Sequence, residues 1–187
     1  MGYRPYGTDI SERMVEYSEK NLRWLVTCTE KRSSEGPPER GSARMSGAHP
    51  WRRDGRTQPE EEPFSVQVGD ATSYNWTQPI DAVACEGYLG SPMSQPPVEI
   101  KLKTEKQECG AILMGFLKNL AKQIKSGTPV VIAAPAWLRP NGDYERLNLL
   151  DEIEELGYNV NNKTREGLLY HREGQIVARD IIILRKN

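Results

Sequence analysis

Three acidic residues follow stretches that read as β-strands, each at the point where a strand would end. Asp9 closes "YRPYGTDI", Asp70 follows "FSVQVG", and Glu86 follows the apolar run from Ala82 to Cys85. In open α/β sheets, ligands bind in the crevice at the carboxyl ends of the strands. Carboxylates there can accept hydrogen bonds from ribose hydroxyls or from exocyclic amines. The pattern therefore predicts one binding cleft lined by these three acids.

Glu86 has the most specific chemistry of the three, because Gly87 and Tyr88 follow it directly. A carboxylate and a backbone carbonyl next to a flat aromatic ring suit a planar base that carries an amine. The oxygens would accept the amine protons while the ring stacks on the base. A turn with an exposed tyrosine is the alternative. For Asp9 the alternative is helix capping, and for Asp70 it is an Asx turn.

The elements that must position these acids follow from the periodicity of the apolar residues. Helices are predicted from Ser11 to about Glu30, from about Lys106 to Lys125 and from about Tyr144 to Leu156, with a polar loop over 91–103. "TPVVIAAPAWL" is typical of a strand buried on both faces. The C-terminal "GLLYHREGQIVARDIIILRK" predicts two strands joined at Glu173-Gly174. This order predicts an α/β sheet, mostly parallel, with a C-terminal antiparallel hairpin.

One segment, residues 31–63, differs sharply in composition from the rest. It has few apolar residues and is dense in Gly, Pro, Ser, Arg and Glu. Such a segment buries too little apolar surface to offset the entropy lost on ordering. We expect a flexible insertion at about 31–63 within a single domain that spans residues 1–187, a length typical of one domain.

The composition excludes several classes of function. A net charge of −1, from 25 basic and 26 acidic residues, gives no general attraction for nucleic acid but allows a local basic patch. The three cysteines and two histidines have no metal-ligand spacing, so no metal site is expected. No apolar run reaches the roughly 18 residues of a membrane span, and the N-terminus has no signal-peptide pattern. These features predict a cytoplasmic protein without a membrane partner.

Four segments carry a family resemblance when they are taken in order: "GTDISERMVEYSEKNLRWL", "VGDATSYNW", "DAVACEGYLGSP" and "LLYHREGQIVARDIIILRK". Together they resemble the S-adenosylmethionine-dependent putative RNA methylases, and within them the THUMP-associated tRNA guanine-N2 methyltransferases. The resemblance covers nearly the whole chain except 31–63. It implies a Rossmann-like methyltransferase sheet, S-adenosylmethionine as the cofactor and RNA, with tRNA favoured, as the substrate.

The resemblance also implies roles for particular residues. In that family one strand-end acid holds the ribose of the cofactor and a second holds its adenine. The cofactor-binding positions of this chain would be Asp9, Ile10, Asp70 and Ala71. The family's Asp-Pro-Pro-Tyr element, which positions the target amine, matches the catalytic candidates Glu86, Gly87 and Tyr88. Alignment of the amine with the sulfonium methyl would then be the principal catalytic device.

The chain departs from the family in two places. Its Glu86-Gly87-Tyr88-Leu89-Gly90 replaces Asp-Pro-Pro-Tyr-Gly, so a glycine stands in place of proline and the aromatic residue moves one place forward. The family's first strand and the glycine-rich motif after it are missing, and in the family that strand lies between those ending in Asp9 and Glu86. The chain is therefore expected to be an N-terminally truncated methyltransferase domain that by itself binds cofactor weakly and is inactive.

Three other functions stay open at the level of sequence. An amino-directed DNA methyltransferase shares the acid-plus-aromatic element, although the chain has no evident DNA-recognition module. An inactive remnant that serves only as a binding surface would also explain the missing motif. A nicotinamide dehydrogenase on a similar sheet would need the same glycine-rich loop, and the C-terminal hairpin is untypical of that class.

Overall fold

The computed structural model describes residues 4–34, 64–161 and 168–187, with the side chains of 29–34 excepted. The chain divides into two compact units, Met1–Asp70 and Ala71–Asn187. Each unit has its own β-sheet and at least one helix, so the fold is mixed α/β. The predicted insertion lies outside the described residues from position 35 to its end at 63, and residues 31–34 belong to a helix.

The first unit has two short parallel strands, and a long helix lies between them in the chain. Strand β1 (Tyr6–Asp9) leads into helix α1 (Glu12–Ser34), and strand β2 (Ser65–Val68) then pairs with β1. The helix begins within a residue of the predicted position, and it continues to Ser34 rather than ending near Glu30. Phe64 is buried in this unit, with the guanidinium of Arg23 over its ring at 5.7 Å from the centroid.

The described residues of the second unit, 71–161 and 168–187, form six strands and two helices. In chain order they are β3 (Val83–Glu86), α2 (Glu99–Leu120), β4 (Pro129–Leu138), β5 (Tyr144–Arg146), α3 (Leu150–Glu155), β6 (Tyr158–Val160), β7 (Leu169–Tyr170) and β8 (Val177–Lys186). The sheet order is β3-β4-β8-β6, with β5 added to β4 and β7 added to β8. Strands β3 and β4 are parallel, whereas β8 is antiparallel to both β4 and β6. Of the five strand pairings described in this sheet, only β3–β4 is parallel, so the prediction of a mostly parallel sheet was wrong. The C-terminal strand β8 pairs antiparallel in the middle of the sheet, between β4 and β6, which local sequence does not reveal.

The C-terminal hairpin is confirmed. Leu169 lies opposite Asp180 and Tyr170 lies opposite Arg179 in the β7–β8 pairing. The turn between the strands contains Gly174 at φ 74°, a left-handed conformation that glycine adopts without steric cost. The position of the turn could be predicted from the Glu-Gly pair alone.

The long helix of the second unit was predicted at the wrong start. Helix α2 begins at Glu99 rather than near Lys106, so the predicted polar loop over 91–103 is shorter. The pair Pro96-Pro97 marks the N-terminal boundary of α2. Proline is not tolerated in a helix interior, and it disfavours helical backbone in the residue before it. The helix ends at Leu120, and irregular turns lead from there to Gly127.

The third predicted helix was wrong over its first residues. Residues Tyr144–Arg146 form strand β5, and only Leu150–Glu155 are helical. The turn signal Asn141-Gly142, with Gly142 at φ 89°, folds the chain back onto the projecting end of β4. Strand β6 was not predicted at all. Short strands of this kind form because a neighbouring edge supplies hydrogen bonds, which local sequence does not reveal.

The core of the second unit lies between α2 and one face of the sheet. Most of its members come from α2, β4 and β8: Leu102, Cys109, Leu113, Phe116, Leu117, Leu120, Val130, Ile132, Ala134, Trp137, Ile182 and Leu184. Tyr158 is fully buried, and its hydroxyl donates to the carbonyl oxygen of Leu117 at 2.9 Å. This burial raises the pKa of the Tyr158 phenol. Helix α2 is therefore fixed to the sheet by apolar packing and by a buried hydrogen bond.

The buried thiol of Cys109 predicts a loss of stability in alkali. Burial, with the charges of Glu105 and Glu108, raises the pKa of Cys109 to about 12 from an ordinary value of 9.0. The folded state then keeps a proton that the unfolded chain loses, so the free energy of unfolding falls as pH rises above about 9, by up to about 1.4 kcal/mol per pH unit. We expect urea unfolding between about pH 8 and pH 10 to show this fall. The Cys109→Ala variant should show a shallower fall, and an equal slope would contradict the assignment.

Candidate functional site

The first unit brings Asp9 and Asp70 to the same edge of its sheet. Strands β1 and β2 are parallel, and Asp9 lies opposite Val68 in their register. The amide of Gly69 donates to the carbonyl oxygen of Asp9 at 3.0 Å, which extends the pairing by one residue. Asp70 comes next, and its side chain is exposed. The two acids thus lie at neighbouring carboxyl ends of parallel strands.

The carboxylate of Asp9 also has a structural role. Its Oδ1 accepts a hydrogen bond from the amide of Ser11 at 2.8 Å, which is an Asx turn between β1 and α1. The capping-box alternative would have joined Asp9 to the amide of Glu12 instead. Ile10, between the two partners, leaves 75% of its surface exposed. Asp9 is therefore oriented by its own turn, and an apolar side chain lies beside it in the chain.

The backbone of Ala71 is held by helix α2 of the second unit. The side-chain amide of Asn119 donates to the carbonyl oxygens of Ala71, at 3.0 Å, and Tyr74, at 2.8 Å. Gln123, in the turns that follow the helix, accepts from the amide of Trp76 at 2.8 Å. These two amide side chains fix the segment that leads into β3. Sequence reasoning missed both, because their partners lie more than 40 residues earlier in the chain.

Glu86 ends β3 on the face of the sheet opposite α2. It lies beside Ala133 of β4, and its carboxylate is ion-paired with the guanidinium Nε of Arg179 on β8. Arg179 lies opposite Pro135, two residues along β4 from Ala133 and on the same face. The Arg179 side chain therefore crosses above β4 to reach Glu86. The Glu86 side chain is 52% exposed, so the carboxylate remains accessible to a ligand.

Two exposed tyrosines belong to the segments around this ion pair. Tyr88 follows Glu86 by two residues and is 45% exposed. Tyr170 lies opposite Arg179 in the β7–β8 register, and it too is exposed. Side chains directly opposite each other in antiparallel strands have Cβ atoms about 5 Å apart. Arg179 and Tyr170 were not predicted as site residues, because only strand pairing brings Tyr170 beside Arg179 and only the fold brings Arg179 to Glu86.

Gly87 is not required on steric grounds. A Cβ atom at this position would meet only the carbonyl oxygen of Ala133, at 3.9 Å, which is an ordinary contact. The predicted contribution of Gly87 is a backbone carbonyl beside Glu86. Other residue types at position 87 could supply the same carbonyl.

The chemistry available at this site is hydrogen bonding. Burial, with the charge of Glu86, raises the pKa of Cys85, which keeps this thiol protonated and unreactive as a nucleophile.

Within 4–28, 64–161 and 168–187, no group of three or more potential metal ligands comes together. The helices in the described part of the chain are all too short or too polar to cross a membrane.

The loop after β3 is anchored to α2 by a buried carboxylate. Glu105 is only 4% exposed, and its Oε2 accepts a hydrogen bond from the amide of Ser91 at 3.0 Å. Gly90 has φ 89°, and a Cβ there would lie 2.5 Å from this same oxygen and 3.4 Å from the sulfur of Cys109. Backbone and helix thus approach so closely that only glycine fits. This contact fixes the loop that carries Tyr88.

The close approach at Gly90 predicts an unusually costly glycine-to-alanine substitution. Gly90→Ala must adopt a strained backbone and must also displace Glu105, whereas Gly127→Ala meets only the strain, since no atom lies within 4 Å of its Cβ. We expect Gly127→Ala to cost about 1 kcal/mol of unfolding free energy and Gly90→Ala about 1–3 kcal/mol more. Urea unfolding of both variants measures the difference, and equal losses would rule out the steric contact.

Comparisons with known proteins found similarity to solved structures alone. No family model and no curated protein matches the chain. Among solved structures, LepI in complex with SAM aligns with a TM-score of 0.38 and 10% sequence identity, over 70% of this chain and 32% of that one. The chain thus spans about a third of that protein's length. A similarity this low assigns neither a cofactor nor an activity.

Proposed function

We propose that the protein takes part in S-adenosylmethionine-dependent methyl transfer to an exocyclic amine of a nucleobase, with guanine N2 in tRNA as the target. The observation that carries this proposal is the exposed carboxylate of Glu86 at the carboxyl end of a parallel strand. It is ion-paired with Arg179, and the exposed ring of Tyr88 follows two residues later in the chain. This combination suits the edge and the face of a planar base.

The acceptor character of Glu86 favours guanine among the bases that have amines. An ionised carboxylate can only accept hydrogen bonds, through two oxygens side by side. Guanine presents two adjacent donors, the ring N1–H and the amino N2–H. Adenine and cytosine instead present an unprotonated ring nitrogen beside the amine, which would face the second oxygen as a second acceptor. A mismatch of this kind disfavours the wrong base by leaving polar groups unpaired.

In this proposal, Glu86 orients the amine rather than forming a covalent bond. By accepting an amine proton, the carboxylate turns the nitrogen lone pair toward the incoming methyl group and receives the proton that nitrogen loses. Tyr88 supplies a ring on which the base can stack, and the Gly87 carbonyl a further acceptor. The contact of Glu105 with Ser91 keeps this loop in place. S-adenosylmethionine, when bound, supplies the methyl group from its sulfonium centre.

The cofactor residues that we propose are Asp9, Ile10, Asp70 and Ala71. A carboxylate oxygen has two lone pairs, so Asp9 can accept from ribose hydroxyls while its Oδ1 also accepts from Ser11. Ile10 offers an exposed apolar surface beside it. Asp70 can accept from the amino group of adenine. The acceptor oxygens of Asp9 and Asp70 therefore fit the hydroxyl and amino donors of a nucleoside.

The RNA partner is supported by the basic residues after the Glu86 loop. Lys101 and Lys103 are exposed on the first turns of α2, where they can meet phosphate. Lys106, one turn further, is instead ion-paired with Glu145 at 2.6 Å. Lys101 and Lys103 thus offer a small basic contact on α2, which packs on the other face of the sheet from Glu86.

A methyl-transfer assay tests this function through Glu86. Labelled S-adenosylmethionine is supplied with unmodified tRNA transcripts to this chain and to the longest reading frame that contains it. We expect Glu86→Gln to lower incorporation by about 10²-fold or more, because the amide presents only one acceptor oxygen and carries no charge. Asp81→Asn is the matched control, since Asp81 is an exposed acid near the other end of β3.

The identity of the target atom is tested by the choice of substrate. Transcripts that contain inosine in place of guanosine lack only the N2 amine, and they should accept no methyl group. Incorporation into DNA but not tRNA would favour an amino-directed DNA methyltransferase. Absence of incorporation with both proteins and both substrates would contradict the proposal.

A further inference from the structure

We propose that Arg179 is the positioning residue of the base-binding site and that it acts through Glu86. This inference rests on the proposed function, which makes Glu86 the acceptor for the base. Arg179 would hold the carboxylate in the one orientation that presents its oxygens to two adjacent donors. It adds to the site a residue that lies 93 positions away in the chain.

The path of the Arg179 side chain supports this role. Neighbouring strands are about 4.8 Å apart, so Arg179 on β8 and Glu86 on β3 are separated by two such spacings, with β4 between them. On this face β4 carries Ala133 and Pro135, which leave room for the arginine to pass above the strand. An arginine held across a strand in this way has few alternative rotamers, so it limits rotation of the carboxylate.

The Glu86–Arg179 ion pair differs in burial from the neighbouring pair of Asp180 with Arg146. Asp180, the following residue, is fully buried on the opposite face of β8, with Arg146 Nε at 3.7 Å. The Glu86–Arg179 pair is more accessible, with 52% of the Glu86 side chain and 29% of the Arg179 side chain exposed. Exposed ion pairs contribute little to stability, because water solvates the separated charges well. An arginine at this place is therefore better explained by orientation of Glu86 than by stabilisation of the fold.

The guanidinium group is suited to this task. Its Nε–H donates to Glu86 Oε1 in the plane of the group, and a planar donor fixes a carboxylate better than the rotating ammonium of lysine. Each carboxylate oxygen has two lone pairs, so the arginine leaves acceptor sites for the base. Arg179 thus orients the Glu86 carboxylate and leaves lone pairs that can accept hydrogen bonds from the base.

A double-mutant cycle on ligand binding tests the inference without methyl transfer. The probes are guanosine and guanosine 5′-monophosphate, titrated calorimetrically against wild type, Glu86→Gln, Arg179→Met and the double variant. We expect Arg179→Met to weaken binding of both probes about tenfold, and Arg179→Lys to restore part of the loss. The double variant should bind no more weakly than Glu86→Gln alone, because Arg179 acts through Glu86.

Arg185→Met is the matched control. Arg185 lies on the same strand and the same face, six residues further on, where its Nη1 donates to the carbonyl oxygen of Gly127 at 2.6 Å. Its substitution should leave guanosine binding unchanged. Circular dichroism of each variant checks that the fold is intact, which separates a local effect from a loss of structure.

Several results would overturn the inference. They are additive effects of the two single variants, an equal loss of binding in Arg185→Met, weaker binding of the nucleotide but not of guanosine, and a wild type that binds neither probe. Coupled losses in a protein that transfers no methyl group would support it while the proposed reaction fails. In an active protein, Arg179→Met should lower kcat more than it raises KM, because the amine is bound in the wrong orientation.

Discussion

The nine-residue antiparallel ladder between β4 and β8 is the constraint on which the second unit depends. It fixes Ala133 opposite Ile181 and Pro135 opposite Arg179, while the parallel pairing of β3 with β4 fixes Glu86 beside Ala133. Strand pairing has a period of two, so a shift of one residue would turn Arg179 toward α2 and Asp180 toward the other face. The contact between Arg179 and Glu86 at the candidate site therefore depends on this one strand register.

The two faces of β8 explain why the register is unique. One face carries Ala178, Ile182 and Leu184, which are buried, together with the Asp180 carboxylate next to Arg146. The other face carries Arg179 in an exposed ion pair. Burial of the apolar residues favours one register, and a misplaced Asp180 or Arg179 would leave a charge without its partner. Packing and charge thus select the same arrangement, and the exposed pair is left where a ligand can reach it.

Helix α2 controls the segments on both sides of β3. Asn119 of the helix, with Gln123 just after its end, holds the backbone before the strand, and Glu105 holds the loop after it through Ser91. A short strand at the edge of a sheet has few contacts of its own, so its position depends on such flanking bonds. The buried Glu105 carboxylate is a polar group that the core accepts because its hydrogen bond is made. The same helix that forms the core therefore also fixes the end of β3.

The sequence by itself determined the local features: the acid at the end of β3, the buried strand β4 and the turn at Glu173-Gly174. These depend on the spacing of apolar residues and on turn chemistry, which operate over a few neighbours. Only the tertiary structure decided that Tyr144–Arg146 form a strand, that Glu105 anchors a loop, and that Arg179 meets Glu86. Each of these depends on partners far apart in the chain, and their contact is set by strand register and helix packing, which no local pattern encodes.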